Sequence, residues 1–250
     1  MSGWILSIKK QIGEEIKLNT NYSDNNHITL VGKVTSEKRF SHEIYGEKFY
    51  IFDLSIPRLS GNADNIPITI SERLLTPDDL PLESKVAIQG QFRSYNCYQG
   101  EKNRLILTVF AKEVEFLENQ EEEIPVGKDI TTNEVVLDGY ICKKPIYRKT
   151  PFGREIADLL LAVNRSYNKS DYIPCIAWGR NAKFCENVPV GSEIRVIGRV
   201  QSRGYEKKYE DGTIEKRVAY EVSVASLEII DQKPEDGEEV APVEENKEAI

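Results

Sequence analysis

Two octads decide the reading: Phe49-Tyr50-Ile51-Phe52-Asp53-Leu54-Ser55-Ile56 and, 107 positions later, Ile156-Ala157-Asp158-Leu159-Leu160-Leu161-Ala162-Val163. In the second, Leu159, Leu161 and Val163 alternate on one face, the period-two pattern of a half-buried strand. The match extends in both directions at the same offset. Leu30 and Gly32 fall on Leu137 and Gly139, Arg58 on Arg165, and Ile66-Pro67 on Ile173-Pro174. The offset then grows: Gly90 falls on Gly198, and Ala111, Glu115 and Phe116 fall on Val224, Glu228 and Ile229. Growth of that kind means small loop insertions with the order of elements kept. The chain therefore reads as two copies of one small module, residues 26–117 and 133–230.

Each copy opens on a strand, Ile28 to Val34 or Val135 to Ile141, and continues through the octads. In the second copy the later strands are Tyr172 to Trp178, Glu193 to Tyr205 and Val218 to Val224, with room for a short helix between Gly179 and Val190. Glycines at 32, 90, 139 and 198 fit the coiling of a small barrel, and Pro67 and Pro174 fit edges or bulges. Five strands with a helix between the third and fourth is the order of an OB-fold. The expected class is all-β: two tandem five-stranded OB-fold barrels, each with that short helix. Ahead of them, in residues 1–25, Trp4, Ile5, Ile8, Ile12 and Ile16 recur at helical spacing and predict an amphipathic helix.

The 250 residues carry Lys+Arg 33 against Asp+Glu 41, a formal net charge of −8. That balance alone argues against a nucleic-acid binder. Its placement changes the inference. Residues 231–250 hold eight acids against two lysines with no aromatic, the composition of a disordered tail. A second acidic patch, Glu118 and Glu121-Glu122-Glu123, lies in a linker at 118–132. Without these two segments the remainder carries about +2.

No apolar run reaches the ~18 residues of a membrane helix. The N-terminal lysines follow the apolar run instead of preceding it, unlike a secretory signal. Cys97, Cys142, Cys175 and Cys185 form no CxxC pair. The expectation is a cytoplasmic protein with reduced thiols and no metal or cofactor. His27 and His42 have no metal or triad context, and no phosphate-binding loop or nucleophile elbow occurs, so catalysis is not expected.

The fourth strand of the second copy places Arg195, Ile197, Arg199, Gln201, Arg203 and Tyr205 on one face. The third places Tyr172, Pro174, Ile176 and Trp178 together. Cations beside aromatic rings suit a single-stranded nucleic acid, whose phosphates are neutralised and whose bases stack. The same alternation also fits rings in the core and arginines on a solvated face. RNA and a protein-interaction role, as in a replisome adaptor, fit it as well.

The second copy resembles the bacterial single-stranded DNA-binding protein family. The matching stretches are Asn133 to Ile141, Ala157 to Arg165, Asp171 to Ala182 and Val190 to Tyr205. The resemblance implies that Tyr172, Trp178 and Tyr205, with Tyr167, take base-stacking positions, and that Arg165, Arg180, Arg199 and Arg203 contact phosphates. The first copy is more diverged. Asn65 and Ser71 stand where Tyr172 and Trp178 would, and only Lys85, Arg93 and Tyr95 remain on the corresponding face. The resemblance further implies single-stranded DNA as partner and four OB-folds per assembly, hence a homodimer. It also implies a role in replication, recombination or repair. Family members often end in an acidic stretch with a Pro-Phe tip that recruits replication and repair proteins. Here the sequence ends Glu248-Ala249-Ile250, acidic but without the tip, and the tail is a candidate competitor for the cationic face.

Overall fold

The computed structural model describes residues 25–75, 80–99, 102–118, 120–127, 130–209 and 211–230. The expected N-terminal helix and acidic tail lie outside the described residues. What is described is mostly β-strand.

The first half contains β1 (Asn26–Val34), β2 (Arg39–Ile44), β3 (Glu47–Pro57), β4 (Ala63–Ser71), β5 (Lys85–Gln99) and β6 (Lys102–Phe116). The second contains β7 (Asn133–Ile141), β8 (Ile146–Lys149), β9 (Glu155–Arg165), β10 (Lys169–Trp178), β11 (Glu193–Lys208) and β12 (Ile214–Ile229). A helix, α1 (Arg180–Cys185), lies between β10 and β11, where the sequence left room for one. The corresponding connection in the first half holds only a 3-10 turn at Glu72–Leu74 among its described residues. The alternation missed β2 and β8. These short strands are mostly exposed, so they bury no periodic apolar face, and they extend their neighbours as hairpins.

In each half five strands pair around a circuit. The first runs β1–β5–β6–β4–β3 and returns to β1 through Lys33↔Ser55 and Val34↔Leu54. The second runs β7–β11–β12–β10–β9 and returns through Tyr140↔Ala162 and Ile141↔Leu161, the same contacts 107 residues on. The halves join edge to edge by antiparallel pairing of β1 with β7. The midpoint of that pairing is Ile28↔Val135, a residue opposite its own repeat partner. The strand order of the whole sheet is consequently palindromic, and the halves are related by a pseudo-two-fold axis at that point. One apolar cluster fills both, from Ile28, Leu54 and Phe92 to Leu137, Leu161 and Val200. Cys175 and Cys185 are buried free thiols within it, and burial pushes the Cys185 thiol up to about 11.

A buried polar seam follows the same symmetry. Asp64 on β4 ion-pairs with Arg58 of its own half and with Arg199 of the other, at 3.0 Å, and its Oδ1 accepts from the Ser202 backbone N–H at 2.7 Å. Its counterpart Asp171 on β10 faces Arg165 at 3.2 Å and accepts from the Ser94 N–H at 2.7 Å. Both carboxylates are essentially inaccessible, at 1% and 0%. Burial pushes the Asp171 carboxyl up against the opposing pull of the Ser94 N–H and Arg165.

Gly90 and Gly198 mark matching irregularities in the β5–β6 and β11–β12 ladders. A side chain at Gly198 would overlap the backbone carbonyl of Ser223 on the paired strand β12, and one at Gly90 that of Phe110 on β6. Backbone cannot yield as a flexible side chain can, so Gly198→Ala is expected to destabilise the fold by about 3 kcal/mol, the upper end for overpacking. Urea unfolding checks this through a lowered midpoint at unchanged slope.

Candidate nucleic-acid interface

The ring-bearing face is built on β10. Pairing with β9 turns Ile173, Cys175 and Ala177 into the core and leaves the other parity outward. Tyr172 and Trp178, at the two ends of that parity, are 45% and 38% exposed. Of the residues between them, Pro174 is half-buried and Ile176 is buried. The rings are therefore too open for core residues of this size. Tyr205 on β11 is also partly exposed. Tyr167 sits in the β9–β10 turn, where it and Asn168 have positive φ, and its ring is 94% exposed. A left-handed pair of this kind is tight-turn geometry that projects the side chain away from the strands.

The expected phosphate contacts separate into two groups. Arg180, at the start of α1, is exposed, and so is Arg203, whose Nε lies 3.6 Å from Glu221. The others serve carboxylates. Arg195 makes a bidentate pair with Asp138, at 2.8 and 2.7 Å. Arg165 faces Asp171, and Arg199 bridges Asp64 and the Gln201 side chain. Burial pulls the Arg199 pKa down while Asp64 raises it. Strand alternation places Arg195 and Arg199 on the outer parity of β11, but Arg165 follows the core parity of β9, and alternation cannot show that each of the three faces a carboxylate.

In the first half, Lys85 is held by Gln120 of the linker through both its backbone N–H and its ammonium. Arg93 lies over the Phe110 ring, 4.1 Å from its centroid, and donates to Gln91. Tyr95 is exposed. Asn65 lies at the seam, its backbone N–H bonded to Ser202 Oγ at 3.1 Å, and Ser71 caps the 3-10 turn. Neither carries a ring.

One element escaped the sequence reading. The β8–β9 hairpin, residues 143–154, carries Lys143, Lys144, Arg148, Lys149 and Arg154 with no acid, and at its tip Phe152 is 92% exposed. Opposite residues on paired strands share a face. Arg148 lies opposite Ile156, and Ile156 opposite Trp178, so Arg148 extends the Trp178 face across two strands. It also pairs with Asp158 at 2.9 Å. The signal was legible: five cations in twelve residues without an acid, against two cations and three acids in the equivalent stretch 36–47.

Comparison with known proteins agrees with this division. The family model described as the single-strand binding protein family matches residues 132–230. Single-stranded DNA-binding protein B of Bacillus subtilis is 34% identical over 112 residues, covering 41% of this chain and 93% of that protein. Single-stranded DNA-binding protein 1 of Staphylococcus aureus is 41% identical over 83 residues, 30% of this chain and 50% of that one. The chain thus spans about half the length of several curated relatives that it matches. The crystal structure of the wild-type single-stranded DNA binding protein from Thermus aquaticus shares the fold, with a TM-score of 0.64 at 20% identity over 84% of this chain and 94% of that one. With the family model matching residues 132–230 and an alignment that covers nearly all of the Bacillus protein B, the chain belongs to the single-strand binding protein family.

Proposed function

We propose that this chain binds single-stranded DNA without sequence preference, coating and protecting it during replication, recombination or repair, and makes or breaks no bonds. Each half is read as an OB-type barrel, residues 26–117 and 133–230, joined by the 118–132 linker. The second half is the binding half. The observation that carries this reading is the coincidence of partly exposed Tyr172 and Trp178 with the basic β8–β9 hairpin on one face of that half. Rings offer π-faces to unpaired bases of any identity, and the cations neutralise phosphates without reading sequence. Arg203 and Arg180 extend the cationic border, while Tyr205 and Tyr167 offer further rings. The first half has lost the corresponding rings and the hairpin charge, so its part in binding is secondary.

Two chains would bring four such halves together, and a homodimer is the proposed assembly. Light scattering should return twice the 28.5 kDa chain mass; the mass of one chain would contradict it.

Stacking contributes about 1–3 kcal/mol per base. Replacing both Tyr172 and Trp178 with Ala should therefore weaken oligo-dT binding at least about tenfold. An unchanged isotherm would remove these rings from the site. The hairpin has its own signature. For single strands each phosphate contact contributes about 0.7 to the slope of log K against log salt. Arg148→Gln with Arg154→Gln should flatten that slope by about 1.4. A slope equal to that of the parent chain would exclude the hairpin.

A further inference from the structure

The outward ring at Tyr172 sits on a strand that its own half supports only partly. β10 pairs with β9 along its whole length, but its other neighbour, β12, reaches it only at Cys175 and Ile176. Around Tyr172 that second side is completed by the other half. The Tyr172 backbone N–H donates to Ser94 Oγ at 2.7 Å, and the Ser94 N–H donates back to Asp171 Oδ1 at 2.7 Å. Ser94 belongs to β5, 78 positions earlier, and both it and Asp171 are buried. The result is a reciprocal clamp of two hydrogen bonds at the point where β10 turns its first ring outward.

The pseudo-two-fold axis repeats the clamp. The Asn65 N–H donates to Ser202 Oγ at 3.1 Å, and the Ser202 N–H donates to Asp64 Oδ1 at 2.7 Å. The chemistry is the same, but the clamped residue carries no ring. The molecule thus holds one clamp under a ring and a second, equivalent one that bears none.

We propose that Ser94 and Asp171 are positioning residues for Tyr172, so that the diverged first half sets the affinity of the second half's site. This rests on the reading of Tyr172 as a stacking group. A ring held in place before DNA arrives loses less freedom on binding. The first half supplies that order through a hydroxyl and a backbone N–H that touch no DNA.

The two clamps provide an internal control. Ser94→Ala and Ser202→Ala each delete one hydroxyl acceptor at topologically equivalent positions, buried for Ser94 and partly buried for Ser202, and each should lower the urea midpoint. Ser94→Ala should weaken oligo-dT binding about fivefold, the equivalent of one hydrogen bond, while Ser202→Ala leaves affinity within about twofold. In a Tyr172→Ala background, Ser94→Ala should produce no further loss. Equal losses from the two serine variants, or a full additional loss in that background, would overturn the inference. If Tyr172→Ala weakens binding but Ser94→Ala does not, the inference fails and the stacking reading stands. If Tyr172→Ala has no effect, both fail. Ser94→Cys, close in shape and a weaker acceptor, should give the same selective loss in smaller measure if Ser94→Ala does not fold; the parent affinity in that variant would overturn the inference.

Discussion

The antiparallel pairing of β1 with β7 is the constraint on which the rest depends. Because Ile28 lies opposite Val135, its own repeat partner, everything on one side of the junction recurs on the other. The two return pairings and the two glycine irregularities recur with the repeat, and the junction brings each buried aspartate against the serine backbone of the other half. Shifting the pairing by one residue would turn every inward side chain of β1 or β7 outward. The buried apolar positions Ile28, Leu30, Val135 and Leu137 fix it against such a slip.

The symmetry belongs to the backbone more than to the surface. Where the second half bears Tyr172 and Trp178, the first bears Asn65 and Ser71. Where the second half has a hairpin with five cations and no acid, the first has acids and bases nearly in balance. Duplication preserves what packs, because a core tolerates little change in volume. An outer face is free to keep its chemistry or lose it. On this account the binding face survives in one copy, and the other copy has become scaffold and partner.

Much of this was legible in the sequence. The constant offset of 107 exposed the repeat, and alternation in Leu159, Leu161 and Val163 fixed which parity is core. That Tyr172 and Trp178 share one parity followed from the same count; that this parity faces outward came from the structure. What stayed hidden were contacts between residues far apart in sequence. Nothing local shows that Asp138 takes Arg195, that Asp64 takes Arg199, or that Ser94 meets Tyr172. These pairings come from the closure of each half and from the junction between them. The strands β2 and β8 were missed for another reason: exposed on most positions, they leave no period to detect. The net charge was the most misleading quantity, because the excess of acids over bases lies in the linker and tail.

The central claim is that the second half's ring-bearing face holds single-stranded DNA. Trp4 and Trp178 are the two tryptophans, so a Trp4→Phe chain reports Trp178 alone. Titrating that chain with poly-dT at two salt concentrations tests the claim most directly. Stacking predicts saturable quenching of the Trp178 emission, reached at higher DNA concentration when the salt is raised. Emission unchanged through the low-salt titration would contradict it.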